Sequence, residues 1–170
     1  LSINLDAIAA NWRALTARLK TGARAGAVVK ADAYGLGLAA VAPALHNAGC
    51  REFFTASLDE GIELRALLPD CPIFVFFGLQ SGEAEEFSRH HLTPILNNLG
   101  QIELWQRQTN RGVTENALLH IDTGMSRLGL PPEEVARLAA EPERLANLNI
   151  AFVISHLACA APVSYTHLRA

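Results

Sequence analysis

The sequence predicts an α/β protein built on a parallel sheet. Two observations carry this reading. Six short apolar runs alternate with stretches whose apolar residues recur at helical spacing. One run, Ile73-Phe74-Val75-Phe76-Phe77, is apolar on both faces, as a strand covered by helices on each side should be. The bulk properties agree. With 170 residues, half of them apolar and 18% charged, the chain can bury a sizeable core in one domain. The pattern alone leaves a doubly wound sheet and a (β/α)8 barrel open. No Gly-x-Gly-x-x-Gly follows a strand, which argues against a dinucleotide site. A closed eight-stranded barrel takes about 250 residues, so a barrel here would hold about six β/α units.

The elements follow in order. Asp6 to Lys20 carries Ile8, Trp12, Leu15 and Leu19 at helical spacing, and Gly22 and Gly26 end that pattern. Ala27-Val28-Val29 is the first strand and stops at Lys30. Leu38, Val41 and Leu45 share one face of a second helix closed by Gly49; Pro43 is awkward there unless it sits in the first turn or kinks the helix. Phe53 to Ala56 is the second strand. Ser57 and Glu60 have the spacing of a capping box for a helix that stops before Pro69. Ile73 to Phe77 is the third strand, and Ser81 is expected to cap a short helix reaching His90. Leu92 to Leu96 is the fourth strand, weakened by Pro94. Asn98 opens a helix containing Ile102 and Trp105. Ala117 to Ile121 is the fifth strand. Pro131, Pro132, Glu133 and Glu134 mark a helix start, and Asn149 to Ser155 is the sixth strand.

Several function classes are disfavoured. The net charge is −3 with no basic run, so neither nucleic acid nor an anionic membrane is an expected partner. No window approaches the ~18 apolar residues of a membrane span, and no signal peptide opens the chain. Cys50, Cys71 and Cys159 form neither a CxxC pair nor an even set, so they read as reduced thiols and no metal site is expected. A cytoplasmic location follows as the expectation. The chain starts at Leu1 without a methionine, which leaves room for an upstream segment.

In parallel α/β folds the chemistry gathers where strands end. The polar residues there are Lys30, Asp32 and Tyr34 after the first strand, Ser57 after the second and Gln80 after the third. Asn97 and Asn98 follow the fourth, Asp122, Thr123, Ser126 and Arg127 the fifth, and Ser155 and His156 the sixth. A lysine leaving a buried strand loses solvation, which favours the neutral amine that a Schiff base requires. Position alone favours a lysine whose ammonium simply reaches out to water. His46, His90 and His91 read as surface residues.

Three segments sharpen the choice. Lys30-Ala31-Asp32-Ala33-Tyr34-Gly35-Leu36-Gly37 resembles the cofactor-lysine motif of the alanine racemases. Ile121-Asp122-Thr123-Gly124-Met125-Ser126-Arg127-Leu128-Gly129 resembles a second motif of that family, and Ser155-His156-Leu157-Ala158-Cys159-Ala160 a third, in the family's order. The resemblance covers residues 1–160. It implies a partial pyridoxal-phosphate-binding barrel over 1–160, of the (β/α)8 type with about six units, and a C-terminal β domain of the family absent. It also implies racemisation of L- and D-alanine, the step that supplies D-alanine for peptidoglycan, by a homodimer.

By that resemblance Lys30 carries pyridoxal 5'-phosphate and serves as acid and base on one face of the substrate. Tyr34 would offer its hydroxyl to the cofactor phosphate. Arg127 would meet the cofactor's phenolic oxygen and the substrate carboxylate, and so counts as catalytic, cofactor-binding and substrate-binding. A guanidinium suits this role because it stays charged and donates to two oxygens. His156 would pack on the pyridine ring. The alternatives are an ordinary half-buried tyrosine, a surface ion pair and a satisfied core histidine. Asp122 and Thr123 would shape the loop, and Gly124 and Gly129 would let its backbone approach a ligand.

The sequence departs from the family in three places. His120 stands where many members have a lysine that is modified to a carbamate and holds the arginine. That leaves the imidazole, a chloride or water, or another side chain to orient Arg127. Leu36 replaces a frequent histidine. Residues 161–170 break the helical periodicity and are expected to be a non-native or disordered tail, so Tyr165 does not stand in for the family's catalytic tyrosine. A fragment of this kind is expected to racemise weakly or not at all. The competing functions are a pyridoxal-phosphate-binding carrier or regulatory barrel, a lyase or aldolase using Lys30 without cofactor, and an inactive truncated product.

Overall fold

A computed structural model describes residues 2–109 and 116–158. Cys159, Ala160 and the expected 161–170 tail lie outside the described residues. The chain divides into two compact units, Leu1–Phe76 with Glu86–Thr93, and Phe77–Glu85 with Pro94–Ala170.

In the first unit, helix α1 (Leu5–Thr16) opens on Asn4, whose side chain accepts the Ala7 amide at 3.0 Å. It ends four residues before the expected Lys20. Strand β1 is short (Ala27–Val28) and passes through Val29 into a helical turn, α2 (Lys30–Gly35). Helix α3 (Leu38–Ala48) follows, burying Leu38, Val41, Ala42 and Leu45, and Gly49 caps it. Pro43 lies inside α3, past its first turn. The Trp12 indole donates to the Ala25 carbonyl at 3.2 Å, tying α1 to the segment that enters β1.

Strand β2 (Phe53–Thr55) pairs in parallel with β1, Ala27 facing Phe53, and with β3 (Ile73–Val75), Phe53 facing Ile73. Helix α4 (Leu58–Leu67) bridges β2 and β3. Phe53, Ile73 and Val75 are fully buried, which is why this strand reads as an unbroken apolar run. On the other side of the sheet Phe54 stacks on Phe74 at 4.8 Å and on Phe76 at 5.4 Å. Arg65 of α4 fastens the loop below the sheet. Its guanidinium donates to the carbonyls of Leu68, Pro69, Cys71, His90 and His91 at 2.7–3.1 Å.

Helix α5 (Ala84–Arg89) begins three residues after Ser81, so Ser81 does not cap it as expected. In the second unit, β4 (Thr93–Leu96), β5 (Asn116–His120) and β6 (Asn149–Ile154) run parallel. β4 pairs with β5 through Ile95 and Leu96, so Pro94 stands outside that ladder. The β5–β6 register shifts between Ala117 and Leu118, so Ala117 faces Ile150 while Leu118 faces Phe152. Helix α6 (Leu99–Thr109) buries Ile102 and Trp105 in the core. Helix α7 (Pro132–Ala140) starts on its proline with Glu133 and Glu134 in the first turn, where a helix favours acidic groups. A 3-10 turn, Pro142–Leu145, leads into β6. Six parallel strands alternating with helices are the predicted α/β pattern.

Candidate active site

Lys30 leaves β1 at its C-terminal end and is half-buried. Its amine stands 6.0 Å from the centre of the Phe76 ring. The backbone that follows is unusual. Ala31, Asp32, Ala33 and Tyr34 have φ of 51° to 58° with ψ of 37° to 53°, so α2 is a left-handed turn. L-residues pay about 1–2 kcal/mol each for this conformation, and none of the four is glycine. Sequence reasoning did not foresee it, because nothing in Ala-Asp-Ala-Tyr signals a positive φ.

The turn is held by hydrogen bonds that oppose that strain. Ala33 donates to the Val29 carbonyl at 2.9 Å and Gly37 to the Asp32 carbonyl at 3.0 Å. The Asp32 carboxylate accepts the Leu38 amide at 2.6 Å, joining the turn to α3. The Glu60 carboxylate accepts the Ala31 amide at 2.8 Å and the Ala56 amide at 2.7 Å. Tyr34 is 62% exposed. Ser57 does what its place after β2 suggested only as a cap, accepting the Glu60 amide at 3.4 Å.

The strand ends of the second unit hold the remaining candidates. The loop after β5 closes at its neck, where Asp122 donates to the Leu130 carbonyl at 3.0 Å and Leu130 to the His120 carbonyl at 2.7 Å. Asp122 organises the loop from within. Its carboxylate accepts the amides of Gly124 at 2.9 Å and Ser126 at 3.0 Å, and those bonds hold its pKa below the usual carboxylate value. Thr123 and Ser155 share a 2.5 Å hydroxyl contact, which ties the loop to the end of β6. Arg127 and His156 are exposed. The loop-shaping roles expected of Asp122 and Thr123 thus have a structural basis.

His120 is buried, with Nδ1 2.8 Å from the Asn97 side-chain oxygen. Asn97 in turn donates to the Ile95 carbonyl at 2.9 Å, and Gln101 accepts the Asn97 amide at 2.8 Å. Gln101 completes the chain by donating to the Phe77 carbonyl at 2.7 Å. Burial pushes the His120 pKa down, and the charges of His156 and Arg127 add to that while Asp122 opposes it. His120 is therefore a neutral ring near neutral pH, and it offers Arg127 no anion of the kind a carbamate would supply. Asn97 was visible as a strand-end residue, but its buried partnership with His120 and Gln101 was not. Among the described residues no group of three His, Cys, Asp or Glu side chains could hold a metal ion.

The first unit provides an amine at a strand end near an aromatic ring, a group that can react with a carbonyl. The second unit, taken by itself, provides a carboxylate-ordered loop bearing an exposed guanidinium, a donor suited to an anion. Comparison with known proteins bears on which carbonyl and which anion. Residues 3–169 match the family described as alanine racemase, N-terminal domain. The chain is 47% identical over 160 residues to an alanine racemase of Rhizobium meliloti, a match that covers 94% of this chain and 42% of that protein. It is 48% identical over 162 residues to an alanine racemase of Rhodospirillum rubrum, covering 94% and 43%. Thus the chain spans about two-fifths of the curated relatives it matches. Its fold is also that of a crystal structure described as alanine racemase from Bartonella henselae with covalently bound pyridoxal phosphate. The TM-score is 0.87 at 38% identity, over 92% of this chain and 46% of that one.

Proposed function

This chain belongs to the alanine racemase N-terminal-domain family, and from that premise we propose that it supplies the cofactor-binding part of a pyridoxal-phosphate-dependent amino-acid racemase acting on alanine. The observation that carries the proposal is Lys30 itself: a lysine at the end of β1, fixed by a strained left-handed turn, with its amine near the Phe76 ring. Strain is kept in a fold where a group must be held in one direction.

The residues present fit the cofactor. Among the described residues Lys30 makes no ion pair, so its amine is available for a covalent bond to an aldehyde. Pyridoxal phosphate, when bound, delocalises the electron pair left behind when the substrate's α-proton departs. Lys30 then has two duties. Its nitrogen holds the cofactor at rest, and as a free amine it takes or returns the α-proton on its own face of the carbon. Arg127, with a permanently charged donor fork, would hold the substrate carboxylate and the cofactor's phenolic oxygen. Tyr34 would offer its hydroxyl to the phosphate, and His156 would pack on the pyridine ring. Inversion needs a second acid/base on the opposite face, which the rest of the protein contributes. We assign the product to D-alanine supply for peptidoglycan, and the full protein to the cytoplasm as a homodimer.

The test uses the full-length protein. Incubation with pyridoxal phosphate and fixation with borohydride should label Lys30, and the protein should interconvert L- and D-alanine. Lys30→Ala should lose both. A folded protein with no label on Lys30 would sink the proposal, and label without racemisation would favour a carrier or regulatory barrel.

A further inference from the structure

We propose that Glu60 is a positioning residue for Lys30, its carboxylate holding the backbone that aims the lysine amine. The inference rests on Lys30 being the cofactor lysine and adds a residue to that site. Ser57 and Glu60 have capping-box spacing, and in such a box the glutamate turns back to its own cap residue. Here only half of the box forms. Ser57 accepts the Glu60 amide, but the Glu60 carboxylate serves other donors: Ala56 at the end of β2 and Ala31 at 29 residues' remove.

The Ala31 amide belongs to the peptide plane that leaves Lys30. Fixing its N–H fixes the ψ of Lys30, and with it the direction of the lysine side chain. The opposite side of Lys30 is already held, because the Val29 carbonyl, in the peptide plane that enters Lys30, accepts the Ala33 amide at 2.9 Å. Glu60 thus completes the restraint, and does so with charge-assisted bonds at the first residue of the strained turn. The first turn of α4 and the ends of β1 and β2 are coupled through one carboxylate. A glutamine cannot replace it. Its amide has one acceptor oxygen, and its nitrogen would face an N–H donor.

The experiment compares the full-length protein with Glu60→Gln and Ser57→Ala. Ser57→Ala weakens the α4 cap but leaves the Ala31 bond. Each protein is titrated with pyridoxal phosphate, fixed with borohydride and mapped, and its thermal midpoint is recorded. Glu60→Gln is expected to need about tenfold more pyridoxal phosphate to label Lys30 to half, the scale of one lost charged hydrogen bond. Ser57→Ala is expected to label normally even where it melts at the same temperature as Glu60→Gln. Equal labelling of Glu60→Gln and the unsubstituted protein, or equal loss in both variants, overturns the proposal. Should Glu60→Gln fail to fold, amide hydrogen exchange in the unsubstituted protein decides. Ala31 and Ala56 should then exchange as slowly as Val29, and solvent-rate exchange at Ala31 overturns the proposal. Absence of label on Lys30 in the unsubstituted protein refutes the cofactor-lysine reading instead.

Discussion

His120 Nδ1 and the Asn97 side-chain oxygen meet at 2.8 Å in a buried pair. Because Asn97 uses its NH2 on the Ile95 carbonyl, its oxygen is the acceptor and the histidine Nδ1 carries the proton. The bond therefore needs no ring charge, and burial disfavours one. An unfolded histidine titrates near about 6.5, above the lowered folded value. Between the two values the unfolded chain binds the proton and the folded chain does not, so stability rises with pH. The urea midpoint should thus be flat above about pH 6.5 and fall as pH drops below it. His120→Asn, which keeps a donor near Nδ1, should flatten that slope. An unchanged slope in His120→Asn would assign the acid loss to another group. Asp122 acts in a separate window. Its lowered pKa stabilises the fold above its unfolded value of about 3.9, and this contribution is lost only as pH falls through the folded value.

The loop that presents Arg127 depends on Gly129. Its φ is +105°, and an added Cβ would stand 2.8 Å from the Asp122 amide nitrogen and 3.0 Å from the Ile121 carbonyl carbon. Neither atom can yield without opening the neck between His120 and Leu130. Gly124 has a similar φ of +119° but open space around it, so alanine there meets only the conformational penalty. Gly129→Ala should cost about 2–4 kcal/mol and Gly124→Ala about 1 kcal/mol in denaturant melts. Equal losses would show that the neck has room to relax.

Much of this fold was legible because helix and strand periods are local. The apolar run through Ile73 and Val75 is a buried strand, and α7 starts where expected, at the prolines, with the glutamates in its first turn. Boundaries were less legible. Leu19 continues the periodicity of α1, but the helix stops at Thr16, and Leu19 remains 40% exposed, so no burial rewards further turns. The candidate site residues were legible as strand-end positions and through motif resemblances. What escaped were relations that only tertiary structure creates. These are the left-handed turn after Lys30, the Glu60 carboxylate reaching Ala31, and the Asn97–His120 pair. Each joins residues through backbone groups or long sequence separations, which neither period nor spacing encodes.

Arg65 provides a test of stability away from the chemistry. Its guanidinium satisfies five backbone carbonyls, including those of His90 and His91 ahead of the segment that enters β4. A planar fork with five N–H groups reaches acceptors in several directions, and an ammonium on a flexible stem does not. Arg65→Lys should therefore lower stability by about 2–3 kcal/mol despite keeping the charge. Chemical denaturation of the two proteins checks this. A loss below 0.5 kcal/mol, a typical surface effect, would mean that water replaces the arginine's bonds.

The left-handed turn predicts an inverted response to glycine. In a right-handed helix an exposed Ala→Gly substitution costs about 1 kcal/mol, because glycine loses more freedom on folding. Ala14, exposed in α1, should behave this way. Ala31 is also exposed, but its φ of 51° strains a Cβ-bearing residue by about 1–2 kcal/mol, and glycine has no such strain. The entropy loss and the strain relief then offset each other. Ala31→Gly should leave the thermal midpoint unchanged or raise it, while Ala14→Gly lowers it by several degrees, the usual effect of about 1 kcal/mol in a domain of this size. The Glu60 bond is made to the Ala31 amide, which glycine retains, so Ala31→Gly should still label at Lys30. A drop in midpoint for Ala31→Gly as large as that for Ala14→Gly would mean that the turn is not strained in solution.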